Sequence, residues 1–126
     1  MTVKATRAAT DFQQSTPNPH KLISLLMAGT LERVEQAKQA VEQGNDQEKF
    51  ILVEKIVAII NGLRASLNFE QGGDIAITLD QLYAYMLERI FAADSKEDEQ
   101  AVLEEIEKLM SEVKAGWDQA DSAKAA

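Results

Sequence analysis

Residues 67–91 read LNFEQGGDIAITLDQLYAYMLERIF, and how this stretch is read decides the fold. It ends one helix, breaks at Gly72-Gly73 and starts another whose apolar residues recur at helical spacing. Counted from Asp74 at about 100° per residue, Ile75, Ala76, Leu79, Leu82, Tyr83, Met86, Leu87, Ile90 and Phe91 fall within an arc of roughly 180°. A helix with one apolar neighbour needs a stripe of only about 100°. This one therefore meets apolar material on two sides. Either it is wedged between two helices of a bundle, or part of its arc lines a groove for an external helix. The two readings are compatible.

The helix before it has the same character. Asn45 or Asp46 caps it, with Glu48 in capping-box position from Asn45, and the period continues to about Asn68. Leu52, Val53, Ile56, Val57, Ile59, Ile60, Leu63 and Leu67 cover about 160°, and Phe50 widens the face. The β-branched run Ile56 to Ile60 suits a strand, but segment length, flanking period and caps favour helix.

Further upstream, Thr16-Pro17-Asn18-Pro19 starts a helix, with Asn18 as cap and Pro19 in the first helical position. It runs to about Gln43 and stops at Gly44, a residue suited to the left-handed turn after a helix. Leu22, Ile23, Leu26, Met27, Leu31, Val34, Ala37 and Val41 share a side, while Leu25 points away as a candidate exposed apolar residue. Downstream, a helix capped by Ser95 carries a narrower stripe from Val102 to Trp117, typical of one-sided packing.

Four long helices joined by short connections predict an all-α fold, an antiparallel four-helix bundle of up-down-up-down topology. The predicted organisation is a single domain over 1–126. Residues 1–16 form a flexible segment or short helical cap anchored by Phe12, 18–117 the bundle, and 118–126 a frayed tail without period.

Composition narrows the function. A net charge of −8 repels phosphate backbones and anionic lipid, which argues against nucleic acid and membrane surfaces as partners. The apolar run Ile56 to Ile60 is far too short to span a bilayer. No cysteine is present, in keeping with a reducing cytoplasm. One histidine, His20, cannot supply the Glu-x-x-His pairs of a di-iron bundle or a structural zinc site. Gly72-Gly73 lacks the following Gly-Lys-Ser/Thr of a phosphate loop. The carboxylates lie on solvated faces, so no acid–base pair is expected, and neither is a cofactor, metal or enzymatic activity. What remains is binding: wide apolar faces suited to an amphipathic helix.

The residues also resemble a known family, the flagellar secretion chaperones of the FliS type. Thr16-Pro17-Asn18-Pro19-His20-Lys21-Leu22-Ile23 resembles the family's Ser-Pro-His/Lys-x-Leu-Ile start. Leu63-Arg64-Ala65-Ser66-Leu67 followed by Gly72-Gly73-Asp74-Ile75-Ala76 resembles its Leu-then-Gly-Gly-Glu-Ile-Ala junction. Leu79, Leu82-Tyr83, Tyr85-Met86 and the late Trp117 continue the pattern, which covers roughly residues 10 to 119. The resemblance implies a cytoplasmic chaperone that wraps the disordered C-terminal segment of flagellin, blocks its premature polymerisation and presents it for type III export. It also implies that the N-terminal segment folds over the apolar surface when no client is bound. Here Phe12 stands near the tyrosine that the family carries in that segment. Met27-Ala28-Gly29-Thr30 departs from the family's aromatic, Asp, Gly and Ala.

Partner contact is expected from Phe12, Leu22, Leu25, Ile56, Ile59, Ile60, Leu63, Ile75, Leu79, Tyr83 and Met86. The expected partners are the flagellin C-terminal segment and flagellar export or regulatory proteins. Two alternatives stand beside this reading: a scaffold bundle that binds a folded protein, and a homodimer that buries the wide faces against its own copy.

Overall fold

The computed structural model describes residues 18–125, with side chains described as far as residue 120. Four helices follow one another: α1 (Pro19–Glu42), α2 (Asp46–Ala65), α3 (Phe69–Ala92) and α4 (Lys96–Ala125). Phe12 and the proposed N-terminal cap lie outside the described residues.

The helix ends follow local chemistry. Asn18 is extended, and its Oδ1 accepts the His20 amide at 3.0 Å while Pro19 fills the first turn. At the far end of α1 the chain turns through Gly44 at φ 71. The Gly44 amide donates to Val41 O and the Asn45 amide to Ala40 O, the paired bonds of a Schellman ending. Asn45 then caps α2, its Oδ1 accepting from the Glu48 amide. Because the Asn45 amide is committed to Ala40, one residue closes the first helix with its backbone and opens the second with its side chain. Ser95 starts α4 in the same way, its Oγ accepting from the Asp98 amide at 3.1 Å.

Two boundaries differ from the expectation. α2 ends at Ala65, not near Asn68, and a separate cap at Asn68 accepts the Glu70 and Gln71 amides to begin α3. Helical geometry does break at Gly73, as expected, but the break follows a short first turn opened by Asn68, so α3 spans it from Phe69 to Ala92. Gly73 there adopts φ 51, ψ −126, a conformation that glycine alone enters readily. α4 continues to Ala125 through the stretch expected to fray. Asp118, at the start of that stretch, is tied to α1 by Ser24 Oγ and within α4 by Lys114 Nζ, at 2.7 Å for the lysine.

The helices form a ring in which α1 lies closest to α2 and α4, and α3 closes the far side. The polar links run antiparallel: Ser24 to Asp118 and Lys38 to Glu107 join α1 and α4 from opposite ends. Small buried residues on α1, among them Thr30, Ala37 and Ala40, let its neighbours approach closely. Thr30 satisfies its buried hydroxyl by donating to Leu26 O at 3.1 Å. α3 instead presents Tyr83, Met86 and Leu87 to the core, so larger side chains stand between it and its neighbours. The core itself is continuous, with Met27, Ile56, Ile60, Met86, Ile106 and Met110 essentially without solvent contact. Among the described residues no helix is long and apolar enough to cross a membrane.

Candidate functional site

The wider spacing around α3 leaves a cavity of about 630 Å³ at the end of the bundle where α1 and α3 begin and α2 and α4 finish. Leu63 closes its α2 side, with Ser66, Leu67 and Asn68 of the connecting turn. Ile75, Ala76, Leu79 and Tyr83 line it from α3, and Val113, Gly116, Trp117 and Ala120 from α4. Three features of the sequence open this space. The kink at Gly73 turns the first residues of α3 off the helix axis. Gly72 packs so closely that an added Cβ would stand 2.9 Å from Ala76 Cβ. Gly116 offers no side chain, and a Cβ built there would meet nothing within 4 Å.

The lining is mostly apolar, with Ser66, Asn68, Gln71 and Glu112 among it, and the polar links between helices lie at its margins. Arg64 Nε donates to Asp80 Oδ1 at 2.9 Å and joins α2 to α3 outside the cavity. On the α4 side of α3, Glu105 accepts from Arg89 Nε at 2.9 Å and from Tyr85 Oη at 2.7 Å. The Arg89 guanidinium, helped by the Tyr85 hydroxyl, holds the Glu105 carboxyl below the usual carboxylate range. The cavity floor carries the buried phenol of Tyr83, which burial pushes up to about 12. A neutral phenol and aliphatic walls suit apolar side chains. Among the described residues no group of three or more His, Cys, Asp or Glu could hold a metal ion.

Comparison with known proteins gives this surface its context. Residues 2–124 match the family described as flagellar protein FliS. The chain belongs to the FliS family. A flagellar secretion chaperone FliSB of Pseudomonas aeruginosa is 47% identical over 108 residues, 86% of this chain and 85% of the relative. The flagellar secretion chaperone FliS of Vibrio cholerae is 42% identical over 113 residues, 90% of this chain and 82% of the relative. That of Salmonella typhimurium is 40% identical over 103 residues, 81% of this chain and 76% of the relative. FliS is thus a family of chaperones and not of enzymes.

Within this FliS fold the residues expected to bind a partner separate into groups. Leu63, Ile75, Leu79 and Tyr83 come together in the cavity, and Ile75 is the most open of them at 72% exposure. Ile56, Ile60 and Met86 sit in the closed core, Ile56 also reaching a second, smaller cavity. Leu22 and Leu25 share a flank of α1 with Gly29, beside which Ile59 of α2 packs; Leu25 is 49% exposed there.

Several lining residues were missed from the sequence. In the sequence the narrow stripe of α4 fits one-sided packing, yet its last turns form a full wall of the cavity. The signal was Gly116-Trp117 itself, a glycine beside the largest aromatic within a helical period. In the sequence Ile23 and Leu67 are ordinary face residues, and only the end-on geometry makes them cavity lining.

Proposed function

We propose that this chain is a cytoplasmic export chaperone for flagellin. It holds the C-terminal segment of its client as an amphipathic helix in the cavity between α3 and the ends of α2 and α4. The bound segment is kept from polymerising until the flagellar type III export apparatus receives it. The observation that carries this reading is an open apolar cavity of about 630 Å³ with Ile75 exposed at its edge. Binding cavities of about 300–1,000 Å³ bury most of a ligand's surface, enough here for several side chains of one helix face. The relatives' description as flagellar secretion chaperones supports a flagellar client. A client that extends past the cavity along the outer flank of α1 would meet Leu22 and Leu25.

The test is calorimetric titration with a peptide covering the C-terminal helical segment of the organism's flagellin. One-to-one binding, a large negative heat-capacity change and a gain of helix by circular dichroism are expected. Ile75→Asp, at an exposed position, should weaken binding by at least about tenfold with the fold intact. Folded, monomeric protein that fails to bind, or binding that Ile75→Asp leaves unchanged, overturns the assignment.

A further inference from the structure

The opposite end of the bundle carries a second apolar opening whose surroundings differ in charge. A cavity of about 170 Å³ lies among Phe50, Val53 and Ile56 of α2, Ile90 of α3, and Val102 and Leu103 of α4. Phe50 stands at its edge at 63% exposure, and Phe91, next in the chain to Ile90, is 72% exposed. A large aromatic such as Phe50 left in water at an opening into the core suits a surface that another chain covers. Apolar cavities of about 150 Å³ admit a benzene ring, so one leucine- or phenylalanine-sized side chain fits here.

Charge identifies the kind of occupant. The four helix ends at this face contribute Glu42, Asp46, Glu48, Asp94, Glu97, Asp98 and Glu99 against Lys49, Lys96 and Arg89, the last already paired with Glu105. Both lysines are engaged. Lys49 Nζ lies 2.7 Å from Glu99 Oε2 and 3.9 Å from Asp46 Oδ1, and Lys96 Nζ donates to Glu42 O at 3.4 Å. Two helix N-termini and two C-termini meet here, so their dipoles oppose one another and the carboxylates set the potential. A second copy of this chain, itself carrying −8, would bring acid against acid. We infer that the face formed by the start of α2 and the α3–α4 turn docks a basic amphipathic helix of a second protein, with an apolar anchor in the small cavity and lysines or arginines against the carboxylates. The two cavities lie at opposite ends of the bundle, so this partner and the occupant of the large cavity bind together.

The probe is a synthetic amphipathic helix of leucine and lysine, compared with a version of equal charge in which the leucines are glutamines. Both are titrated into the isotope-labelled full chain and followed by NMR. The leucine peptide should bind about tenfold or more tightly than its glutamine counterpart, with amide shifts centred on residues 49–56 and 90–103. Phe50→Ser should remove that difference, and Glu48→Lys should weaken binding and flatten its salt dependence. Gly116→Phe, which plugs the large cavity, should leave the affinity unchanged. Equal binding of the two peptides, shifts centred on the Leu79–Gly116 end, or indifference to Phe50→Ser overturns the inference. This test uses no flagellin, so its outcome is independent of the client assignment.

Discussion

The indole of Trp117 donates from Nε1 to the carbonyl oxygen of His20 at 2.8 Å and stacks on the His20 ring with centroids 4.1 Å apart. This pair fastens the last turns of α4 to the first turn of α1 beside the large cavity, which Trp117 also lines. Trp117→Phe keeps an aromatic ring but removes the donor. A loss of about 0.5–1.5 kcal/mol in urea unfolding is expected, with faster hydrogen exchange in the first turns of α1. Unchanged stability and exchange would mean that the clasp contributes nothing in solution. Trp117 is the chain's one tryptophan, so its emission should shift to the blue as the cavity fills.

Three glycines should respond in different directions. Gly73→Ala forces a side chain into φ 51, ψ −126 and should cost about 1–3 kcal/mol. Gly72→Ala brings Cβ to 2.9 Å from the rigid Ala76 Cβ and should destabilise as well. Gly116→Ala meets open space in a helix interior and should stabilise by up to about 1 kcal/mol. Thermal and urea unfolding of the three variants checks the order; a destabilised Gly116→Ala would show that the cavity wall is tighter than the structure has it.

Gly116→Phe separates cavity from core. Its ring projects into space that the fold leaves open, so the variant should unfold near the parent temperature while losing flagellin-peptide affinity by about tenfold or more. Met86→Ala, in the closed core, should instead cost about 2–5 kcal/mol. Calorimetry of both binding and unfolding distinguishes the two effects.

Acid should act through two carboxylates. Glu105 is held below its usual range by Arg89 and then Tyr85, and Asp118 by Lys114 and then Ser24. Groups with depressed folded-state values contribute stability that is present above the unfolded carboxylate range and lost as pH falls through the folded values. The melting temperature should therefore fall as pH drops below about 4, and Glu105→Gln should make that fall shallower. Tyr83 acts at the other extreme. Its phenol, raised to about 12, stays neutral while an unfolded tyrosine ionises from about pH 10, so stability drops between those values. A Tyr83→Phe chain that retains the full alkaline drop would assign it to other groups.

Much of the architecture was legible in particular residues. Asn18, Gly44, Asn45 and Ser95 announce helix ends because their preferences are local, and each ends or starts a helix as expected. The Gly72-Gly73 pair marks a real interruption at Gly73, but it does not announce the short turn that precedes it. Asn68, with a side chain that accepts two amides, starts that turn.

The sequence by itself determined four amphipathic helices, their order and the direction of each apolar face, because period and capping depend on neighbours a few residues away. It also showed that the middle helices carry more apolar surface than one neighbour covers. Only the tertiary structure decided where that surplus goes. Ile60 and Met86 disappear into the core, Ile75 and Leu79 open onto a cavity, and Trp117 reaches back over most of the chain to His20. The physical reason is that a helical wheel gives the angle at which a side chain leaves its axis but not the distance to the next helix. That distance is set by the bulk of the facing residues: alanines and a threonine draw α1 in, while Tyr83 and Met86 hold α3 out.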